Sequence, residues 1–261
     1  MSNICSLEKL KGTVNVPLPK YGELLVYAPY MAGSQISVSI LFGKNDTNVP
    51  ASVPVYDSNM EIVGNIAQSS TYYYKMFTII AGSLPQTAAY VGIPNKYDIV
   101  GVQALTNSST YPTPITINMQ DLQYSPIENI TFDYRDPSIN PTNLSVYKAF
   151  NNTLKDFTIR QSSKTEGSIV ELGTCKILKS LNVAASTKIV GNLEDFCVAQ
   201  HSASTTTRKI TLTAAGSNVK FHNNSISAVI YIGISLNNIT VGTTDGGSEL
   251  GTWNGSTWSY S

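Results

Sequence analysis

The side chains that carry most metal and nucleophilic chemistry are few and scattered in this chain. Three cysteines, Cys5, Cys175 and Cys197, lie far apart, and His201 and His222 are not within the usual ligand spacing of each other. Structural zinc sites are normally built from closely spaced Cys and His pairs. We therefore predict no metal and no cofactor, and we expect Cys175 and Cys197 to be small buried residues.

Acidic residues are the other candidates for catalysis. Glu194 is followed by Asp195, and Asp133 lies near Asp136. Adjacent residues on a strand point to opposite faces, and a glycosidase pair is assembled by the fold rather than by short sequence spacing. Glycine-rich nucleotide-binding, P-loop, His-Glu-x-x-His and Gly-x-Ser-x-Gly sequences are missing from the chain. We therefore predict that the protein is not an enzyme.

Aromatic residues near the C-terminus form the clearest candidate binding site. Asn254-Gly255 between two β-prone runs predicts a hairpin. With a two-residue loop, Trp253 and Trp258 are diagonal neighbours on the face that also carries Tyr260, and with a four-residue loop the two tryptophans are directly opposite. Such a face would stack on a sugar ring or dock on a partner chain, or it would cover the open end of the fold, which is the interpretation we favour.

The composition favours β structure. Charged residues make up 13% of the chain, about half the usual share, while hydrophobic residues make up 42%. Helical surfaces are normally covered by Glu and Lys, whereas the Ser, Thr, Asn and Tyr that replace them here suit strands and turns. The fold class predicted from this composition is mainly β.

Charge and hydropathy also exclude some partners. The 17 basic residues balance the 17 acidic ones, so nucleic acid, whose binding needs a basic face, is not an expected partner. The most apolar stretch, 226–236, is too short to span a bilayer, and the segment 1–12 has no apolar core of signal-peptide length. We expect a protein that is made in the cytoplasm, stays soluble and has no membrane partner.

The first half of the chain consists of short β-prone runs separated by turn residues. We predict a β-sandwich or barrel over 1–130, because short strands at this regular spacing are typical of such folds. A linker is predicted at 131–149, within a stretch rich in Pro, Asn and Asp. The strands are predicted at 13–16, 23–27, 35–42, 53–56, 61–66, 71–81, 88–93, 98–105 and 114–119.

The second half contains a repeat with an offset of 24 residues. A third copy, with its strand at 208–212, is longer by about five residues, and the extra length fits the Ser- and Thr-rich stretch 201–207. The matching pairs are Leu154 with Leu178, Lys155 with Lys179, Phe157 with Leu181, Ile159 with Val183, Gly167 with Gly191, and Ile169 with Leu193.

This short strand, followed by Gly-x-Leu or Gly-x-Ile and a second apolar block, resembles a leucine-rich repeat. The resemblance implies a short solenoid over 150–232, followed by a final strand and the tryptophan hairpin over 233–261. The alternative is that amphipathic strands of one further β domain share this spacing by coincidence. Stacked units would form ladders of Phe157, Leu181 and Ile210, of Ile159, Val183 and Leu212, and of Ile169 and Leu193.

A family resemblance follows from three sequences: GSIVELGTCKILKSLNV at 167–183, GNLEDFCVAQ at 191–200 and GTWNGSTWSYS at 251–261. Together with the low-charge β module they resemble virion proteins of tailed bacteriophages of Bacteroidetes, including the crAss-like phages. The resemblance implies a head fibre or auxiliary capsid (decoration) protein, located in the virion and homo-oligomeric. Its partners would be other capsid or fibre subunits, with carbohydrate as a further partner, and no catalytic residues are implied.

Two other functions remain open from the sequence. A surface or tail adhesin would bind host glycans or protein receptors, and it would normally carry an export signal. An enzyme acting on polysaccharide would release reducing sugar. The virion protein, anchored by 1–130 and projecting its repeats, is the function that we predict.

Overall fold

The computed structural model describes most of the chain from residue 18 onward. It describes residues 18–105, 115–133, 138–140, 143–160, 165–184 and 189–203, and beyond these the backbone of the strands between 208 and 259. The strand predicted at 13–16, Cys5 and His222 lie outside the described residues.

The described residues are mainly β, which confirms the predicted fold class. The strands are β1 Leu24–Tyr27, β2 Ser37–Gly43, β3 Ser52–Tyr56, β4 Ile62–Ala67, β5 Ser69–Ser70, β6 Tyr74–Ile80, β7 Tyr90–Ile93, β8 Ile99–Leu105, β9 Thr116–Asn118, β10 Asn129–Asp133, β11 Ser138–Asn140, β12 Asp156–Arg160, β13 Gly167–Ser168, β14 Ser180–Ala184, β15 Ile189–Asn192, β16 Arg208–Thr213, β17 Asn218–Phe221, β18 Asn224–Ser225, β19 Val229–Ile234, β20 Ile239–Thr243, β21 Glu249–Trp253 and β22 Trp258–Ser259.

The helices of the described residues are short, with one exception. The exception is α1, Leu193–Ala203. The others are 3₁₀ helices at Ala81–Ser83, Lys96–Asp98, Met119–Leu122, Leu144–Phe150 and Ile169–Thr174.

The N-terminal part consists of two sheets that share one hydrophobic core. The first sheet has the order β11-β9-β1-β7-β3-β4, and the other face of the core is formed by β5, β6, β2 and β8 of a longer sheet. Strand β1 shows the alternation expected of a strand with one face on a core. Leu24 and Val26 are buried, whereas Tyr27 is 44% exposed. The amide of Gln68, between β4 and β5, donates to the carbonyl of Ala51 where the chain passes from one sheet to the other.

The longer sheet has twelve strands, which come from β2 near the start of the described chain to β22 near its end. Its order is β22-β21-β20-β19-β16-β14-β12-β10-β8-β2-β6-β5. Neighbours are parallel from β8 to β16 and antiparallel on either side of that block. Between successive parallel strands the chain passes through a 3₁₀ helix or α1, as expected because parallel strands need a crossover.

Two buried ladders run across these parallel strands. Their side chains are at most 3% exposed, so every second residue of each parallel strand is buried. We call a parallel strand, together with the crossover before it, a unit. One ladder is Val102, Ile130, Phe157 and Leu181, and the other is Ala104, Phe132, Ile159 and Val183. The pairing of Phe157 with Leu181 and of Ile159 with Val183 is the one that the 24-residue offset predicts.

The start of each crossover helix also repeats. A side-chain oxygen accepts a hydrogen bond from the backbone amide two residues later, and this oxygen belongs to Asn118, Asn143 and Ser168 in turn. In each case the residue directly after this Asn or Ser is buried, and so is the residue three positions after that one. These buried pairs are Met119 with Leu122, Leu144 with Tyr147, and Ile169 with Leu172.

The segment that the sequence predicts as a linker, 131–149, is part of this packing. It holds the end of β10, β11 and most of the 3₁₀ helix Leu144–Phe150, whose side chains Leu144, Tyr147 and Phe150 are at most 1% exposed. The described residues of this segment are therefore strand and helix packed into the shared core, not a break between domains. The repeating arrangement therefore extends N-terminally beyond residue 150 into the module predicted at 1–130.

The third copy of the repeat is longer than predicted. Leu181 pairs with Leu212, not with Ile210, so Val183 does not pair with Leu212. A shift of two residues leaves the same side chains on the same face of a strand, and alternation in the sequence cannot distinguish the two registers.

The two repeat glycines occupy equivalent places without being strand partners. Gly167 pairs with Ile189, and Gly191 pairs with Val219, in a third sheet with the order β13-β15-β17-β18. Both have φ in the region that favours glycine, at 123° and 146°. Strand pairing in this third sheet therefore does not follow the 24-residue offset.

Candidate functional site

The predicted aromatic hairpin has the register of the longer loop. Trp253 pairs with Trp258, and Thr252 pairs with Ser259, in antiparallel strands β21 and β22. The two tryptophans are therefore directly opposite each other along the backbone, as expected for a loop of four residues. Tyr260, the third predicted binding residue, lies outside the described residues.

A different aromatic surface stands out among the described side chains. Tyr21 is 97% exposed and Tyr124 is 77% exposed; the Tyr21 ring lies against that of Tyr97, and the Tyr124 hydroxyl is near enough to Tyr97 to act on it electrostatically. The ring centroids of Tyr21 and Tyr97 are 6.0 Å apart at an angle of 52°. The ammonium of Lys96 lies 5.6 Å from the centroid of the Tyr97 ring. We call Tyr21, Tyr97 and Tyr124 the tyrosine cluster.

The turn that carries Tyr21 is closed by hydrogen bonds at its ends. The amide of Glu23 donates to the carbonyl of Lys20 across 2.9 Å, and the amide of Lys20 donates to the Glu23 carboxylate across 3.2 Å. Gly22 has φ of 85°, which a residue with a Cβ rarely adopts. Tyr21 is thus presented by a turn with a defined backbone.

The turn that carries Tyr97 begins with a left-handed residue. Asn95 has φ and ψ of 52°, a conformation that asparagine tolerates better than most side chains. The amide of Asp98 donates to the carbonyl of Asn95 across 2.9 Å, which closes the 3₁₀ helix Lys96–Asp98. Tyr97 is held in the middle of this helix, one residue after Lys96.

The backbone of Lys96 connects all three turns. Its amide donates to the carbonyl of Gly22 across 2.7 Å. Its carbonyl accepts a hydrogen bond from the hydroxyl of Ser125 across 2.5 Å, and Ser125 itself is buried. Ser125 directly follows Tyr124. One residue therefore fixes the three tyrosine-bearing turns relative to each other.

The third turn belongs to the first crossover of the parallel strands. The amide of Ser125 donates to the carbonyl of Leu122, the buried last residue of the 3₁₀ helix Met119–Leu122. The amide of Glu128 then donates to the carbonyl of Val100, just before β10 begins. The tyrosine cluster therefore lies where the N-terminal sheets meet the parallel strands.

The hydroxyl groups of the cluster affect each other. The pKa of Tyr97 is raised above its ordinary value of 10.0, first by a hydrogen bond with Tyr21, then by partial loss of solvent, and then by the nearby Tyr21 and Tyr124 hydroxyls. Tyr97 is consequently uncharged at neutral pH, and its hydroxyl acts as a hydrogen-bond donor and acceptor.

A second polar group lies at the start of the parallel strands. The Lys155 ammonium is 2.7 Å from the Glu128 carboxylate. Burial raises the pKa of the neighbouring Asp156 above 3.8, and Glu128 adds to this, while Lys179 and Lys155 oppose it. Lys155 and Lys179 are successive members of the repeat, since the amide of Lys179 donates to the carbonyl of Lys155.

A comparison of the chain with protein-family models, curated proteins and solved structures found no match. Within the described residues, no three His, Cys, Asp or Glu side chains are grouped so that they could hold a metal ion. The described part of the chain also contains no helix with the length and apolar character needed to cross a membrane. Cys175 is buried, as expected.

The tyrosine cluster was not accessible from sequence spacing, because its residues come from three distant turns. A local signal was nevertheless present. Each tyrosine is flanked by turn-forming or polar residues, as in Lys20-Tyr21-Gly22 and Gln123-Tyr124-Ser125, and not by an apolar run that would place its ring in a core.

Proposed function

We propose that this protein is a non-catalytic structural protein of a bacteriophage virion, of the head fibre or capsid decoration type. The observation that carries the proposal is the twelve-strand sheet, which joins the N-terminal sheets to the repeat units without a break. A continuous sheet with a shared core suits a rigid projection better than it suits two domains that move around a substrate. The resemblance of 167–183, 191–200 and 251–261 to virion proteins of Bacteroidetes phages supports the same function.

We further propose that the parallel units form a short leucine-rich-repeat-like solenoid. The support is the 24-residue offset between Phe157 and Leu181, together with the repeated start of each crossover helix at Asn118, Asn143 and Ser168. The N-terminal sheets would anchor on the particle and the repeats would project from it. Homo-oligomers, commonly dimers or trimers, and contacts with capsid or fibre subunits are expected of such a protein.

Purified virions test this proposal directly. Mass spectrometry of particles from the phage that encodes this gene should detect the protein at a copy number comparable to that of other minor capsid components. Location of the gene beside portal and major capsid genes would agree. Particles that contain the capsid proteins but lack this protein would overturn the proposal.

An adhesin is the second candidate, because two tyrosines of the cluster expose most of their surface. A surface or tail adhesin would bind host glycan or protein receptors through such a site. Binding of labelled protein to intact host cells, in the absence of any virion, would favour this function. Release of reducing sugar from host polysaccharide by the purified protein would contradict both non-catalytic functions.

A further inference from the structure

The tyrosine cluster exposes large side chains that take no part in the core. Tyr21 and Tyr124 are 97% and 77% exposed, while the buried core is formed by other residues throughout the described chain. Aromatic side chains each offer about 150–250 Å² of surface, so leaving them in water sacrifices a large hydrophobic contribution. Three rings that the fold brings together from three distant turns, unlike the sequence neighbours Tyr72 and Tyr73, therefore indicate a surface that acquires an occupant.

The backbone around the cluster is already ordered for binding. Lys96 donates to Gly22 and accepts from Ser125, which fixes the three turns before any ligand arrives. Tyrosine has only two side-chain torsions, so holding its ring in place costs little conformational entropy. A preorganised site of this kind binds a small ligand with little loss of affinity to reorganisation.

The chemistry of the cluster matches a sugar ring. We propose that Tyr21, Tyr97 and Tyr124 bind a neutral pyranose unit of a polysaccharide. The apolar C–H face of a pyranose fits against a flat aromatic ring, and its hydroxyls exchange hydrogen bonds with the tyrosine hydroxyls and the Lys96 ammonium. The proposal concerns this site alone and does not depend on whether the protein belongs to a virion.

Charges on the three turns select a neutral ligand. Lys20 and Lys96 are basic, whereas Glu23 and Asp98 are acidic. Because the turns that carry Tyr21 and Tyr97 each hold one basic and one acidic residue, their net charge favours neither an anionic nor a cationic ligand.

The size of the cluster also argues for a sugar and against a docked protein. Three tyrosine rings bury at most roughly 450–750 Å², whereas a stable protein interface buries about 800 Å² on each partner. A mono- or disaccharide covers a surface of the size that these rings provide.

A glycan array followed by calorimetry tests the proposal. The purified full-length protein is applied to an array that carries both neutral and acidic polysaccharides, and the strongest neutral polysaccharide is then titrated. Tyr21→Ala and Tyr124→Ala should each lower the affinity by about tenfold, because each removes one stacking ring. Both residues are exposed, so the melting temperature should stay at the wild-type value.

Tyr72→Ala is the matched control. Tyr72 is 85% exposed, and its ring lies 4.8 Å from that of Tyr73 in a different turn, so it shares residue type and exposure but not the site. The affinity of Tyr72→Ala for the neutral polysaccharide should stay within about twofold of the wild-type affinity. Failure of the wild-type protein to bind any neutral polysaccharide on the array would overturn the proposal. So would binding that Tyr72→Ala weakens as much as Tyr21→Ala does, or selective binding of acidic polysaccharides. Particles that lack the protein would overturn the virion function and leave this result unchanged.

Discussion

The hydroxyl of Ser125 donates a hydrogen bond to the carbonyl oxygen of Lys96, 29 residues earlier, across 2.5 Å. The bond joins the first crossover of the parallel strands to the turn that carries Tyr97. Because Lys96 also donates to Gly22, the N-terminal sheets and the parallel strands share one buried polar contact beside the tyrosine cluster. The stability of this junction and the geometry of the cluster therefore depend on the same residue.

Ser125→Ala should destabilise the protein by about 1 kcal/mol, because the Lys96 carbonyl loses a buried partner. The free energy of unfolding from urea denaturation measures this. Ser69→Ala is the control, since the exposed Ser69 hydroxyl is 3.4 Å from its acceptor, the Met76 carbonyl. Equal stability of the two variants would show that the Ser125 contact contributes nothing to the junction.

Leu181→Ala should cost about 2–5 kcal/mol, the usual loss for a fully buried leucine. Leu181 is 0% exposed, and along the backbone it pairs with Phe157 on one side and with Leu212 on the other. Thermal unfolding followed by circular dichroism measures the effect. Thr158→Ala, on the opposite face of β12, should shift the melting temperature far less. A melting curve of Leu181→Ala like that of the wild type would mean that the ladder is absent.

Gly191→Ala should cost about 1–3 kcal/mol, because alanine is strained at φ of 146°. A Cβ at this position would also lie 2.6 Å from the Cγ1 of Ile169 in the preceding unit. Gly43→Ala is the matched control, since a Cβ there meets nothing within 4 Å. The free energy of unfolding of both variants is measured by chemical denaturation. A Gly43→Ala protein less stable than Gly191→Ala would contradict the prediction.

Asn143→Ala should cost about 1 kcal/mol, because the amide of Ser145 loses the side-chain acceptor at 2.8 Å. Asn143→Ser should recover most of the loss, since Ser168 makes the corresponding contact in the next unit. The measurement is the midpoint of urea unfolding for both variants. If serine fails to rescue stability, the two positions are not structurally equivalent.

Asp156→Asn should raise the melting temperature at neutral pH. Burial, with a smaller contribution from Glu128, raises the pKa of Asp156 above 3.8, so the folded protein holds this proton more tightly than the unfolded chain. The resulting stabilisation is complete below the unfolded pKa and is lost as the pH rises through the folded pKa. The variant should therefore match the wild type in acid and exceed it at neutral pH. A lower melting temperature of the variant at neutral pH would mean that the attraction of Lys179 and Lys155 outweighs burial.

Local patterns predicted much of the β structure, but they did not predict its register or its extent. Alternation and turn residues predicted β2, β3 and β7, and the 24-residue offset matched Phe157 with Leu181. Alternation did not predict the two-residue shift at Leu212, because both registers place the same residues on the same face of the strand.

Two further features depend on tertiary contacts that sequence spacing does not carry. The unit at 131–149 contains turn-forming residues, yet Leu144 and Tyr147 are buried because the neighbouring units cover them. A pattern of Asn or Ser followed by two apolar residues three apart would have revealed it. The residues around each tyrosine indicate a turn, but no sequence spacing links the three turns, because they are brought together by tertiary contacts such as the hydrogen bonds of Lys96.

The order of strands has a consequence for how the chain folds during synthesis. Strand β1 pairs with β7 and β9, so Leu24 must find Ile93 and Tyr27 must find Thr116. These long-range contacts are slow to form, and they cannot form until β9 has left the ribosome. Strands β10, β12 and β14 each pair with a strand made shortly before them. We therefore expect one slow closure of the N-terminal sheets, after which each later unit adds rapidly to an edge that is already complete.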